Sequence, residues 1–270
     1  MAEDSFKKDQ ERIAGNLKAV KHRLLVFSGK GGVGKTTTAV NIAAGLADAG
    51  HKVGLLDVDI HGPNVPKMLG VEDSKMNVTE DGRMVPVLTP SGIRLVSMAF
   101  LVQDQDAPVV WRGPLKMRAI MQFLSDVDWA DTEWLLFDSP PGTGDEPLSV
   151  AQLVPATAAL VVTTPQAVAV LDTRKAVKFA QMLKLRVLGV VENMSGLSCP
   201  HCGKRIELFK TGGGEQMARE LGVPMLAKLP LDPAVVESGD SGRPFVTERP
   251  DSEAAKVVRE LVGKLVELED

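Results

Sequence analysis

The 270-residue chain is 44% hydrophobic and 24% charged, an ordinary globular composition with length for one large domain or two small ones. Its net charge of −4, with 8 Phe, 3 Trp and no Tyr, argues against nucleic-acid binding, which needs basic residues on phosphates and aromatic platforms under bases. Two cysteines are too few for a disulfide scaffold, no apolar run is long enough to span a membrane, and residues 1–21 lack the apolar core of a signal peptide, so a cytoplasmic protein without a membrane partner is expected.

In chain order, residues 4–20 read as a helix or a frayed arm. Leu24-Leu25-Val26-Phe27 is a short apolar run bounded by Ser-Gly, the pattern of a buried strand. A helix over 36–49 stops at Gly50, and Val53-Gly54-Leu55-Leu56 is a second buried strand leading into Asp57-Val58-Asp59. Residues 84–100 alternate around Pro90-Ser91-Gly92 and predict a hairpin. Gly113-Pro114 opens a helix to Leu124. Buried strands over 134–137 and 158–162 end at Asp138 and at Thr163-Thr164-Pro165. A helix over 169–183, a strand over 187–191, a helix over 217–221, a strand over 225–229 and a closing helix over 252–268 complete the pattern.

Fully apolar strands alternating with helices predict one α/β domain over 22–270. Its sheet is expected to be mostly parallel, with seven or eight strands, and covered by helices on both faces. Ligands of such sheets bind at the carboxyl ends of the strands. Those ends carry 29–37, Asp57 and Asp59, Asp138, Thr163 and Thr164, and Asn193.

Gly29-Lys30-Gly31-Gly32-Val33-Gly34-Lys35-Thr36 fits the phosphate-loop pattern G-x-x-x-x-G-K-S/T, followed by Thr37, between a strand and a helix. Glycines let backbone N–H groups turn inward, and with the helix N-terminus they form an anion hole for the phosphates of ATP. Lys35 adds a charge on the β and γ oxygens, and the Thr36 hydroxyl is a magnesium ligand. The chain is thus expected to be a P-loop NTPase that binds ATP and Mg2+.

Asp138 follows its strand as a magnesium-supporting aspartate does, and the loop Ser139-Pro140-Pro141-Gly142-Thr143-Gly144-Asp145 has the glycines of a γ-phosphate sensor. Asp57 and Asp59, two apart on an extended segment, point the same way. Asp57 is expected to support Mg2+ and Asp59 to orient an attacking water. An isolated aspartate would more simply cap a helix or turn. Three at strand ends beside a phosphate loop point to phosphoryl transfer.

Cys199-Pro200-His201-Cys202-Gly203 lies in a loop over 194–205. It reads as a redox dithiol, half a zinc site, half an iron–sulfur site, or a structural pair. One chain supplies two thiolates, so a four-thiolate centre needs two chains across a two-fold axis, where zinc and a 4Fe–4S cluster both fit. His201 reads as solvated, and His61 has no evident partner.

Together these stretches, with Asp57-Val58-Asp59-Ile60-His61-Gly62-Pro63-Asn64, Trp111-Arg112-Gly113-Pro114, Glu192-Asn193-Met194-Ser195-Gly196 and Gly212-Gly213-Gly214-Glu215, resemble the Mrp/ApbC-type iron–sulfur cluster carriers within the MinD/ParA/NifH group of P-loop ATPases. The match runs from about Leu24 to Val246. The resemblance implies a homodimer bridging a 4Fe–4S cluster through Cys199 and Cys202 and passing it to apo-proteins. It implies that Lys30 reaches the nucleotide of the opposite subunit and acts in catalysis with Lys35 and Asp59. It also implies that Asn193 contacts adenine and that Pro230 and Asp232 frame the base. The N-terminal cysteine cluster of eukaryotic relatives is not matched, so no second cluster is expected.

Two other readings compete: a MinD- or ParA-like positioning ATPase, which binds membrane or DNA, and an ATP-gated zinc protein. The final segment, ending Leu265-Val266-Glu267-Leu268-Glu269-Asp270, is acidic, unlike a basic membrane tail, and its apolar spacing is that of a core-facing helix.

Overall fold

A strand with apolar side chains on both faces must be covered twice, and the computed structural model shows this arrangement over residues 2–59, 62–101, 113–199 and 201–269. Of the motifs above, Ile60, His61, Trp111, Arg112 and Pro200 lie outside the described residues. The strands are β1 His22–Phe27, β2 Val53–Asp57, β3 Asn77–Val78, β4 Met84–Val85, β5 Val87–Leu88, β6 Arg94–Ser97, β7 Trp134–Asp138, β8 Ala158–Thr163, β9 Arg186–Glu192, β10 Leu197–Ser198, β11 Arg205–Ile206 and β12 Met225–Lys228. The helices are α1 Ala2–Asn16, α2 Lys35–Asp48, α3 Val65–Met68, α4 Gly113–Asp126, α5 Asp145–Leu153, α6 Ala167–Met182, α7 Gly213–Leu221, α8 Pro233–Asp240, α9 Phe245–Glu248 and α10 Glu253–Glu269.

The main sheet has eight strands in the order β12-β9-β8-β1-β7-β2-β6-β5. All its pairings are parallel except β5 with β6 at the edge. The chain runs from β1 toward one edge, returns to place β7 beside β1, then fills the other side with β8, β9 and β12. Its crevice therefore opens at the carboxyl end of β1, where the order reverses.

Residues alternate along each strand between two cores. Leu24, Val26, Trp134 and Leu136 face the layer of α2, α9 and α10. Leu25, Phe27, Leu135 and Phe137 face α1, α4, α5, α6 and α7. Each such fully buried side chain contributes roughly 1.5–3 kcal/mol of hydrophobic stabilisation.

The arm at the N-terminus is a docked helix. Ile13 and Leu17 are buried, and Asn16 Nδ2 donates to the carbonyls of Leu124 and Val127, each at 2.8 Å. The predicted hairpin over 84–100 is split. β5 and β6 form it around the turn at Thr89, whereas β4 pairs with β3 in a separate ribbon. Pro86 between β4 and β5 has no N–H to continue a ladder. No helix among the described residues is long and apolar enough to cross a membrane.

Candidate nucleotide site and thiol hairpin

β1 delivers the chain into the glycine-rich loop, which ends where Gly34 N-caps α2 with φ 81°. A Cβ at Gly34 would lie 2.1 Å from Asn193 Nδ2, and that amide donates to Val33 O at 2.9 Å. Left-handed backbone and close approach together demand glycine here. Asn193, at the end of β9, therefore grips the phosphate loop itself.

The floor of the loop is a buried ionic cluster. Lys35 Nζ donates to Asp138 Oδ1 at 2.6 Å and to Thr36 Oγ1 at 3.0 Å, and it lies 3.8 Å from Asp59 Oδ2. Thr36 Oγ1 donates to Asp138 Oδ2 at 2.7 Å. The β2–β7 register sets Asp57 directly beside Asp138. Ser97 Oγ donates to Asp57 Oδ2 at 2.8 Å, and the Asp59 N–H donates to Asp57 Oδ1 at 3.1 Å. Burial, and then the Asp138 carboxylate, push Asp57 well above the ordinary carboxylate range, against the Ser97 hydrogen bond and the Lys35 charge.

Thr36 Oγ1 and Asp138 Oδ2 meet here, with Asp57 beside Asp138 in the β2–β7 register. An all-oxygen donor set of this kind suits a hard cation such as Mg2+. The loop after β7 is pinned beneath the phosphate loop: the Ser139 N–H donates to Val26 O at 3.2 Å and the Gly142 N–H to Ser28 O at 2.8 Å. Lys116 on α4 donates to Glu146 in the first turn of α5 at 2.8 Å, tying α4 to the helix that follows this loop.

The structure thus brings Lys35, Thr36, Asp57, Asp59 and Asp138 together, with Thr37 and Asn193 on the adjoining side. Thr37, Asn193 and Pro230 line one narrow crevice against Phe245. Asp232 caps α8, accepting from the Ala234 N–H at 2.9 Å. Lys30 is exposed, with its carbonyl accepting from Ser28 Oγ at 2.9 Å. Thr163 is drawn away from the site, since its hydroxyl accepts from Thr173 Oγ1 at 2.8 Å in the core. The sequence does not single out Ser97. A serine closing a strand carries no motif, and only the β2–β6 register reveals its role.

The cysteines sit on the β10–β11 hairpin, Cys199 half-buried and Cys202 exposed. The Cys199 N–H donates to Lys204 O at 2.9 Å and the Gly203 N–H to Cys199 O at 2.8 Å, closing a tight knuckle. Backbone N–H groups of His201 and Cys202, then the Cys202 side chain, hydrogen-bond the Cys199 sulfur and lower its pKa, favouring thiolate. Among the described residues no group of three or more His, Cys, Asp or Glu is placed to hold a metal ion.

Comparison with known proteins agrees with this geometry. The family model ParA, described as NUBPL iron-transfer P-loop NTPase, matches residues 19–266. An iron-sulfur cluster carrier protein of Methanocaldococcus jannaschii is 47% identical over 257 residues, covering 95% of this chain and 88% of the relative. The cytosolic Fe-S cluster assembly factor NUBP2 of Bos taurus is 46% identical over 257 residues, covering 93% of this chain and 94% of the relative. A nucleotide-binding protein of Archaeoglobus fulgidus, solved in complex with ADP, superposes with a TM-score of 0.77 at 38% identity over 86% of this chain and 91% of that one. The cell division ATPase MinD of Pyrococcus furiosus gives 0.65 at 25% identity over 92% and 100%. With a phosphate loop over a buried cluster of Lys35, Asp57 and Asp138 in the main sheet and a thiol knuckle on a separate short ribbon, the chain belongs to the ParA family of iron-transfer P-loop NTPases, as its motifs implied.

Proposed function

We propose that the chain is an ATP-hydrolysing iron–sulfur carrier that holds a 4Fe–4S cluster between two copies and passes it to apo-proteins. The observation that carries this reading is the knuckle itself. It presents one exposed and one half-buried thiol, with backbone N–H groups aimed at the Cys199 sulfur, and no third ligand lies nearby among the described residues. A cluster needs about four thiolates, so a second copy must complete the set. The names of relatives as cluster carriers support the same cargo.

In this reading Lys35 and the 29–36 backbone hold the phosphates, and Thr36, Asp57 and Asp138 hold magnesium. Asp59 orients the attacking water, and Lys30, exposed on the loop, reaches the partner copy's nucleotide. Asn193 and Pro230, neighbours beside the phosphate loop, are read as contacting the base, and Asp232 caps α8 just beyond them.

The test is anaerobic reconstitution with iron and sulfide. The expected result is a brown dimer with about four irons per two chains, no iron retention in Cys199→Ala, and delivery of the cluster to an apo-ferredoxin. A strictly monomeric loaded protein, or a Cys199→Ala protein that keeps its iron, overturns the proposal. The knuckle's N–H···S geometry also suits zinc. A colourless, zinc-rich sample from air-free purification would select that second reading.

A further inference from the structure

Resting on the carrier reading, we infer that Glu192 is the positioning residue that couples the phosphate loop to the cysteine hairpin. Glu192 closes β9 and is fully buried. Its Oε1 accepts from Ser195 Oγ at 2.7 Å and from the Gly212 N–H at 3.1 Å, and its Oε2 accepts from the Gly214 N–H at 2.6 Å. These partners sit at the two ends of one excursion. Ser195 precedes β10, and Gly212 and Gly214 open α7 after β11, so everything between them, Cys199 and Cys202 included, leaves and returns through one carboxylate.

The chemistry of the grip is specific. All three partners donate, and a carboxylate only accepts, so it satisfies them together. The N-terminus of nine-residue α7 adds a favourable dipole. A Cβ at Gly214 would lie 2.9 Å from Glu192 Oε2, so the helix start approaches as closely as glycine allows.

On the other side, the next residue is Asn193, whose amide holds Val33 O in the phosphate loop. The backbone between these two grips is short and braced: the Asn193 N–H donates to Thr163 O, the Leu229 N–H to Glu192 O and the Ser195 N–H to Leu229 O, each at 2.8 Å. Arg205 on β11 extends the path, donating to Ser195 O at 2.8 Å. A nucleotide that displaces Asn193 therefore pulls on a side chain that binds both feet of the thiol hairpin. This route runs through the end of β9, independent of the loop after β7.

The experiment reads thiol reactivity in the cluster-free protein. Alkylation of Cys199 and Cys202 by iodoacetamide is followed by mass spectrometry, with and without Mg2+ and a non-hydrolysable ATP analogue. In the wild type the nucleotide is expected to change the alkylation rate by about five- to tenfold, the size of an ordinary coupling between sites. In Glu192→Gln, where an NH2 group meets a backbone N–H, the ratio is expected to fall to near unity, with nucleotide affinity held within about threefold. Ser195→Ala, which frees only one foot, is expected to give an intermediate ratio and serves as the test should Glu192→Gln not fold.

A merely structural Glu192 would lower the melting temperature and raise both alkylation rates while leaving their ratio unchanged. An unchanged ratio in the variants, or wild-type thiols indifferent to nucleotide, overturns the inference. Iron retention by the wild type is measured separately, so loss of the carrier reading would show there and not in the ratio.

Discussion

The phosphate loop and the cysteine hairpin both extend from carboxyl ends of strands in one sheet, yet they are held in opposite ways. The ionic cluster beneath the loop is buried and paired within one chain, Lys35 and Asp138 most tightly. The hairpin is two strands of two residues each, with exposed Ile206 and Leu208 and an exposed thiol. A ribbon that short is not stable alone. It stands because Glu192, Arg205 and contacts from Ser198 and Arg205 to Glu253 anchor its base. A site that must hold charge in a fixed geometry is built into the core. In the proposed carrier reading, a site that must take up and release a ligand is built outside it, on few contacts.

The contrast is broken most forcefully by Lys35→Ala. It leaves Asp57 and Asp138 buried without their cation, and loss of one partner of a buried pair costs about 3–5 kcal/mol. Urea unfolding should show that loss. Nucleotide hydrolysis should fall at least about 10²-fold, because the charge that stabilises the transferring phosphoryl group is gone.

Gly34→Ala tests the same region through the backbone. The left-handed φ alone costs about 1–3 kcal/mol, and the new Cβ evicts the Asn193 amide from Val33. Nucleotide affinity, measured by calorimetry, should fall at least about tenfold.

Asp57→Asn moves stability the other way. Burial and Asp138 raise the pKa of Asp57 in the folded protein, so its native state prefers the proton. Wild-type stability from this group is therefore lost as pH rises above the ordinary carboxylate range through the raised value. Asparagine keeps the oxygen that accepts from the Asp59 N–H and offers Ser97 an amide donor. The nucleotide-free variant should be more stable by about 1 kcal/mol at pH 8, with a smaller gain at pH 5. Thermal melts at the two pH values check this, and a gain equal at both would contradict the assignment.

At the hairpin the smallest stability effect accompanies the largest functional one. Cys202 is exposed and Cys199 half-buried, so Cys199→Ser with Cys202→Ser should change stability by no more than about 0.5 kcal/mol while abolishing iron retention. A large drop in melting temperature would mean that the thiols support the fold.

Much of this architecture is legible in the chain. The runs at 24–27, 53–56, 134–137, 158–162, 187–191 and 225–229 are all strands of the main sheet, because a strand covered on both faces is apolar throughout. The elements without a clear sequence pattern are short or carry proline in their first turn. α5 carries Pro147 in its first turn and α8 starts at Pro233, where the missing N–H is harmless, though in sequence both prolines look like loop. β3, β4, β10 and β11 have two residues each, too few for any periodicity.

By itself the sequence determined the sheet, the phosphate loop with Lys35 and Thr36, the three aspartates at strand ends and the shortage of thiols, since each is a matter of residue type and spacing. Tertiary structure alone decided that Asp57 stands beside Asp138, that Ser97 braces it, that Asn193 closes on Val33, that Thr163 turns into the core, and that Glu192 gathers residues 20 and 22 positions away. Those pairings depend on strand order and register. Both are set by how the whole chain buries its apolar faces, which no local pattern records.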